Sequence, residues 1–194
     1  MMKKLYTILL IIIFIGAQYT AEAGGKNKFG IRAGYQAANL YNSDGLSGYG
    51  NINTFYVGFY RDFKFAPLLY LGAGMDYYQN GTVKDSDNKI ALHYLSVPLY
   101  LKLKVGPFFA LAGAGANFKI HEKWTIKGIS ETPPSEIKSN GFDLPVFAGV
   151  GLKFAFITIE ARYYYGTMDV NGEALSGFEG AHNTFLQLGL GLSI

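Results

Sequence analysis

The stretch Asn183-Thr184-Phe185-Leu186-Gln187-Leu188-Gly189-Leu190-Gly191-Leu192-Ser193-Ile194 sets Leu186, Leu188, Leu190, Leu192 and Ile194 on one face and Gln187, Gly189, Gly191 and Ser193 on the other. A period of two is a β-strand with one apolar face and one polar or small face. Left unpaired, such an apolar edge invites aggregation. The strand is therefore expected to pair with the first strand of the chain and close the sheet on itself.

The same alternation recurs upstream. Phe29, Ile31, Ala33, Tyr35 and Ala37 oppose Gly30, Arg32, Gly34, Gln36 and Ala38, and Phe55, Val57 and Phe59 oppose Tyr56, Gly58 and Tyr60. Leu69, Leu71, Ala73, Met75 and Tyr77 oppose Tyr70, Gly72, Gly74, Asp76 and Tyr78, and Leu95, Val97, Leu99, Leu101 and Leu103 oppose Ser96, Pro98, Tyr100, Lys102 and Lys104. Leu144, Val146, Ala148, Val150, Leu152 and Phe154 oppose Asp143, Pro145, Phe147, Gly149, Gly151 and Lys153, and Ile157, Ile159, Ala161, Tyr163 and Tyr165 oppose Thr158, Glu160, Arg162, Tyr164 and Gly166. One further strand, over 108–120, is small on both sides (Ala110, Ala112, Gly113, Ala114, Gly115, Ala116), and there Phe109 and Leu111 are assigned outward. The tally is eight strands.

Short turns are expected at 63–67, 105–107 and 155–156, and long polar connections at 39–51, 79–89, 121–140 and 167–182. Because the two kinds alternate, they sort to opposite ends of the sheet. In outer-membrane barrels the short turns face the periplasm and the long loops face outside, and strands of about ten residues suffice to cross the hydrocarbon core at a tilt. The charged strand residues Arg32, Asp76, Lys102, Lys153, Glu160 and Arg162 share the face that carries the glycines, so the aliphatic face is the one left for lipid. Phe63, Phe65, Phe108, Phe109, Phe154 and Phe156 lie by the short turns and Tyr41, Tyr77, Tyr78, Tyr94 and Tyr165 toward the long loops, as two aromatic girdles require. The expected fold is all-β, an eight-stranded antiparallel transmembrane β-barrel of the up-and-down meander type.

Composition agrees. The 194 residues suit one domain, with 15 Tyr, 15 Phe and 25 Gly, a pairing common in strands and barrels. There is no cysteine, which excludes disulfides and thiolate chemistry. Lys3 and Lys4, the apolar run from Leu5 to Ala17 and the small-residue site Ala21-Glu22-Ala23 read as a secretory signal over 1–23, leaving the barrel as 24–194. Removing that signal would lower the formal charge from +3 to +2, too small a surplus to suggest a nucleic-acid partner. No stretch after it has the ~18 continuous apolar residues of a spanning helix.

Few residues suggest chemistry. An eight-stranded barrel is just wide enough to be filled by its own side chains, and Tyr56, Tyr60, Tyr70, Tyr78, Tyr100, Phe147 and Tyr164 point inward. The inward charges Arg32, Asp76, Lys102, Glu160 and Arg162 must then pair, which favours a structural lumen network over an ion relay. His93 and Ser96 differ by an odd step and fall on opposite faces, so they make no nucleophile–base couple; His121 or His182 with a loop serine is the enzyme alternative. The acidic runs at 85–88 and 169–173 lack the closing glutamate of a calcium loop and read as solvated turns, so no metal or cofactor is expected. The long connection carries Trp124, Ile126, Ile129 and Ile137 among Lys and Glu, a candidate partner-binding surface.

Taken together, Tyr94-Leu95-Ser96-Val97-Pro98-Leu99-Tyr100-Leu101-Lys102, the run from Phe142-Asp143 to Ala148-Gly149-Val150-Gly151-Leu152, Ile159-Glu160-Ala161-Arg162-Tyr163 and Leu186-Gln187-Leu188-Gly189-Leu190 resemble the PorT-like outer-membrane β-barrel domain. The resemblance spans the chain after the signal. It implies an eight-stranded barrel, and the member that lends the family its name is linked to protein secretion. Ile194 departs from the Phe or Tyr with which many outer-membrane proteins end. The functional expectation is a monomeric, non-enzymatic barrel in the outer membrane, in contact with its lipid and engaging an envelope or secretion protein through external loops. The competing readings are a lipid-modifying enzyme of the outer leaflet and a binder of small hydrophobic ligands through a lateral gap near Pro98 or Pro145.

Overall fold

The computed structural model describes residues 28–41, 50–85, 88–126, 129–131, 141–169 and 182–193. Ten strands form one antiparallel sheet: β1 (Lys28–Tyr41), β2 (Gly50–Ala66), β3 (Leu69–Asp85), β4 (Asn88–Val105), β5 (Phe108–Ile126), β6 (Ile129–Glu131), β7 (Phe142–Asp143), β8 (Val146–Phe154), β9 (Ile157–Asp169) and β10 (His182–Ser193). Setting aside β6 and β7, short pieces that pair only with β5, eight strands run in a ring, β4-β3-β2-β1-β10-β9-β8-β5, and β4 pairs with β5 to shut it. The last strand does close on the first, from Gly30 opposite Ser193 to Tyr41 opposite His182. Every strand of the ring thus has two ladder neighbours, which removes the edge.

The alternation sorts as lipid outside and packed side chains inside would require. Ile31, Val57, Leu71, Leu99, Leu101, Val150, Ile159, Leu188 and Leu190 are exposed, while Arg32, Tyr56, Asp76, Tyr100, Lys102, Glu160, Arg162 and Gln187 are buried. Phe65, Phe108, Phe154 and Phe156 stand exposed beside the short turns. Tyr78 and Tyr94, assigned to the opposite girdle by position along the chain, instead turn into the lumen and are buried, as is Phe109. Their parity with Asp76, Ser96 and Leu111 carries them inward.

Strand β5 corrects the sequence expectation. Phe109 and Leu111 face the lumen, 5% and 4% exposed, and Phe108, at 64%, faces out with Ala110, Ala112 and Ala114. The alanines and glycines offer no contrast from which to read a face, so register decides. Phe109 sits opposite Gly151 and Leu111 opposite Gly149, and a Cβ on Gly151 would overlap the Phe109 ring. The glycine makes the space that the phenyl occupies.

The hairpins are also longer than the alternation suggests. The segment expected as a loop at 79–89 is ladder, paired from Gln79–His93 to Asp85–Asn88, and β5 continues through His121 to Ile126 before pairing with β6. Beyond an apolar belt both faces of a strand meet a polar environment, so the periodic signal fades while backbone pairing persists. At the other end the turns are Pro67–Leu68, Gly106–Pro107 and Ala155–Phe156; the last falls where expected, and the first is tighter, with Phe63 to Ala66 inside β2. Leu68 and Ala155 hold left-handed φ values of 69° and 49°, the cost of reversing tightly without glycine.

Replacing Gly151 by Val is expected to expel the Phe109 ring and destabilise the barrel by about 2 kcal/mol, the usual cost of overpacking. Urea unfolding from lipid vesicles checks this; unchanged stability would contradict the assigned facing of β5.

Candidate functional site

Inside the ring the described polar side chains fall into tiers. Nearest the short turns, Lys102 Nζ donates to Asp62 Oδ2 at 2.5 Å and Tyr100 Oη donates to Asp62 Oδ1 at 2.8 Å. The Lys102 ammonium lies 4.8 Å from the Phe109 ring centroid, an arrangement that adds cation–π attraction to the ion pair. Lys153 Nζ donates to Ser193 Oγ at 2.5 Å, tying β8 to the last strand. Asp62 was absent from the sequence reading. Its parity with Tyr56, Gly58 and Tyr60 was the available signal.

One tier up, Arg32 donates from Nε to Asp76 Oδ1 at 2.9 Å and from Nη2 to Asp76 Oδ2 at 2.6 Å, a two-pronged pair spanning β1 and β3. Arg162 Nη2 donates to Glu160 Oε2 at 2.9 Å on the same strand. Arg162 stacks 5.2 Å from the Tyr100 centroid and Arg32 lies 5.3 Å from that of Tyr60. The five inward charges named from the sequence are thus brought together in one lumen, with Asp62 added. All are buried. Geometry of this kind is what lets a desolvated charge persist, because the partner and its hydrogen bonds replace water.

Above these pairs the polar contacts run mainly through amides. Gln187 Nε2 donates to Gln36 Oε1 at 2.7 Å, and Gln36 Nε2 donates to Asn80 Oδ1 at 2.6 Å. Asn183 Nδ2 donates to Asp143 Oδ2 at 3.2 Å. Aromatic rings stack alongside: Phe147 on Tyr164 at 4.6 Å, Tyr164 on Phe185 at 4.3 Å and Tyr78 against Phe185 at 4.9 Å between centroids. Toward the long connections Ala38, Ile52 and Leu92 are buried in the same cluster. The paired charges near the short turns therefore give way to rings and aliphatic groups toward the long connections, where one further pair, Lys119 with buried Glu122 on β5, stands beside them.

The remaining sequence candidates lie elsewhere. His93 faces outward, its Nδ1 2.7 Å from Tyr77 Oη and its ring 5.4 Å from that of His121, while Ser96 is buried inside. The two stand on opposite faces, as their spacing requires. His182 stacks on Tyr165 at 5.5 Å. Pro98 on β4 stands opposite Gly115, and on the other side of β5 Gly115 N donates to Pro145 O at 2.8 Å, so the seam beside Pro145 is bridged there. Trp124 and Ile126 prove to be positions of β5 and Ile129 of β6, in ladder and not in a free loop; their side chains, Ile137 and residues 1–27 lie outside the described residues. Residues 86–87 and 170–173 of the acidic runs lie outside them too.

Changing Asp76 to Asn should destabilise the barrel by roughly 3–5 kcal/mol, since it strands a buried guanidinium, whereas the double change Arg32→Met, Asp76→Leu should cost far less. A double-mutant cycle by urea unfolding in vesicles measures the coupling; additive effects would show that the pair carries none.

With the geometry in view, the chain's likenesses are informative. No curated protein sequence matches it. Among solved structures it is similar to Neisserial surface protein A, with a TM-score of 0.58 at 15% identity over 86% of this chain and 97% of that one. It is also similar to Ail, the attachment invasion locus protein of Yersinia pestis, with a TM-score of 0.51 at 17% identity over 88% of this chain and 100% of that one. Both likenesses are of fold. The family described as outer membrane protein beta-barrel domain matches residues 16–172. This chain is an outer-membrane protein and belongs to that β-barrel domain family.

Proposed function

We propose that this barrel is a non-enzymatic component of the outer membrane that acts through its external end, as an envelope structural protein or as an accessory of protein secretion in the manner of the PorT-like barrels it resembles. Residues 1–23 serve as its export signal and 24–194 form the barrel. The lumen, on this reading, is a plug. The Arg32–Asp76, Lys102–Asp62 and Arg162–Glu160 pairs fix its lower half, and stacked Phe147, Tyr164 and Phe185 with Ile52 and Leu92 fill its upper half. The charges hold the strands in register and do not carry ions.

The observation that carries the proposal is the run of β3, β4 and β5 past the aliphatic belt. Pairing continues to Asp85–Asn88 in one hairpin and to Lys89–Thr125 and Ile126–Ile129 in the next, so a multi-stranded ledge stands on one side of the barrel mouth. A rigid sheet presents partner-contacting side chains with less ordering cost than a loose loop would. Exposed Lys123 and the strand positions of Trp124, Ile126 and Ile129 lie on this ledge. The reading needs no cofactor.

Two measurements test it. A photo-reactive residue in place of Lys123 should crosslink one discrete envelope or secretion protein in intact cells, and deleting Thr125 to Ser139 should abolish that capture; lipid adducts alone would overturn the ledge as the working surface. Reconstituted in planar bilayers, the barrel should show no steady ion conductance, whereas open-channel currents would overturn the plug.

A further inference from the structure

Between the short turns and the irregular pairing at His93 and Tyr94, the outward positions of the ring carry aliphatic, aromatic or small uncharged groups, with one exception. Arg61 is the one charged side chain among the described residues on that face. The sequence reading, which placed the strand charges on the glycine face, did not include it. Its outward position follows from register, since it stands opposite Phe29 on β1 and Ala73 on β3, within the run Phe59, Arg61, Phe63, Phe65. Phe29, Phe59 and Phe65 are exposed.

A guanidinium on a lipid-facing wall costs about 2–4 kcal/mol at the bilayer midplane and about 0–1 kcal/mol near the interface. Arg61 lies in the last third of β2, toward the Pro67–Leu68 turn, and its side chain is half-buried along the wall with the guanidinium carbon 5.2 Å from the Phe63 centroid. The ring supplies attraction and a direction, and the long stem lets the head reach the interface. Among the described residues no carboxylate pairs with it: neighbouring Asp62 points into the lumen and is taken by Lys102. What a cation there meets is the headgroup layer of the leaflet next to the short turns, the periplasmic one in barrels of this kind.

We propose that Arg61, with Phe63 holding its guanidinium in place, is a binding position for the phosphodiester of a phospholipid in the periplasmic leaflet. The planar fork of donors matches phosphate oxygens two at a time, and exposed Phe29, Phe59 and Phe65 supply a wall for the acyl chains.

The test is native mass spectrometry of the full barrel released from a maltoside detergent, titrated separately with phosphatidylglycerol, with diacylglycerol of the same chains and with inorganic phosphate. Wild type should retain one phosphatidylglycerol and no diacylglycerol. Arg61→Gln should need about tenfold more lipid for the same occupancy, a change of ~1.4 kcal/mol, with Arg61→Lys between the two. Folding of each variant is checked by the heat-dependent shift in electrophoretic mobility. Equal retention by wild type and Arg61→Gln would overturn the site, equal retention of diacylglycerol would reduce it to an apolar wall, and saturation by inorganic phosphate would make it a free-phosphate site.

Discussion

A backbone amide in hydrocarbon has no water to bond, so a chain that crosses with strands must pair all of them. That constraint organises this molecule. It explains why β10 returns to β1 through twelve paired positions, and why the ring is shut by β4 and β5 even though β5 has few large side chains to contribute. The interruption of the strand at Leu144–Pro145 obeys it as well. Where proline interrupts the strand between β7 and β8, Gly115 and Lys119 of β5 still donate to Pro145 and Gly141 on either side. The ladder is satisfied before the side chains are.

Closing the ring creates the second problem, a lumen too narrow for bulk water and lined by every other residue. Two solutions operate at different heights. Near the short turns, charge is neutralised by charge, with Lys102 on Asp62 and Arg32 on Asp76 joining strands that are not ladder neighbours in the case of β1 and β3 or β2 and β4. Near the mouth, rings and aliphatic groups fill most of the space, with the Lys119–Glu122 pair beside them. Pairs of the first kind contribute more to register than to stability, because desolvation offsets much of their Coulomb energy. A strand slipped by one residue would turn Arg32 or Asp76 toward lipid.

Most of the architecture could be read from the alternation because lipid outside and packed side chains inside give opposite demands on successive residues. Leu188, Gly189 and Leu190 state that contrast plainly, and the inward charges follow from the same parity. Where contrast is missing, sequence reasoning fails: the alanines and glycines of β5 hid the inward Phe109 and Leu111, and the space for the Phe109 ring is made by Gly151 across the ladder. The paired segment at 79–83 was lost for the opposite reason, since its polar residues look like loop although their backbone is in ladder with 89–93. Asp62 and Arg61 were within reach of the period-two rule and differ by one step, which sends one into an ion pair and the other to the lipid.

The central claim is a ring closed between the first and last strands in the register Ile31 opposite Leu192. The chain has no cysteine, so Ile31→Cys with Leu192→Cys can be oxidised in native outer membranes without background. Directly opposed antiparallel residues have Cα atoms about 4.5–5.5 Å apart, within the span a disulfide bridges. The account predicts a bond at 31 and 192 and none when the second cysteine is moved to 191 or 193. A bond at a shifted position, or none at all in folded barrel, would contradict it.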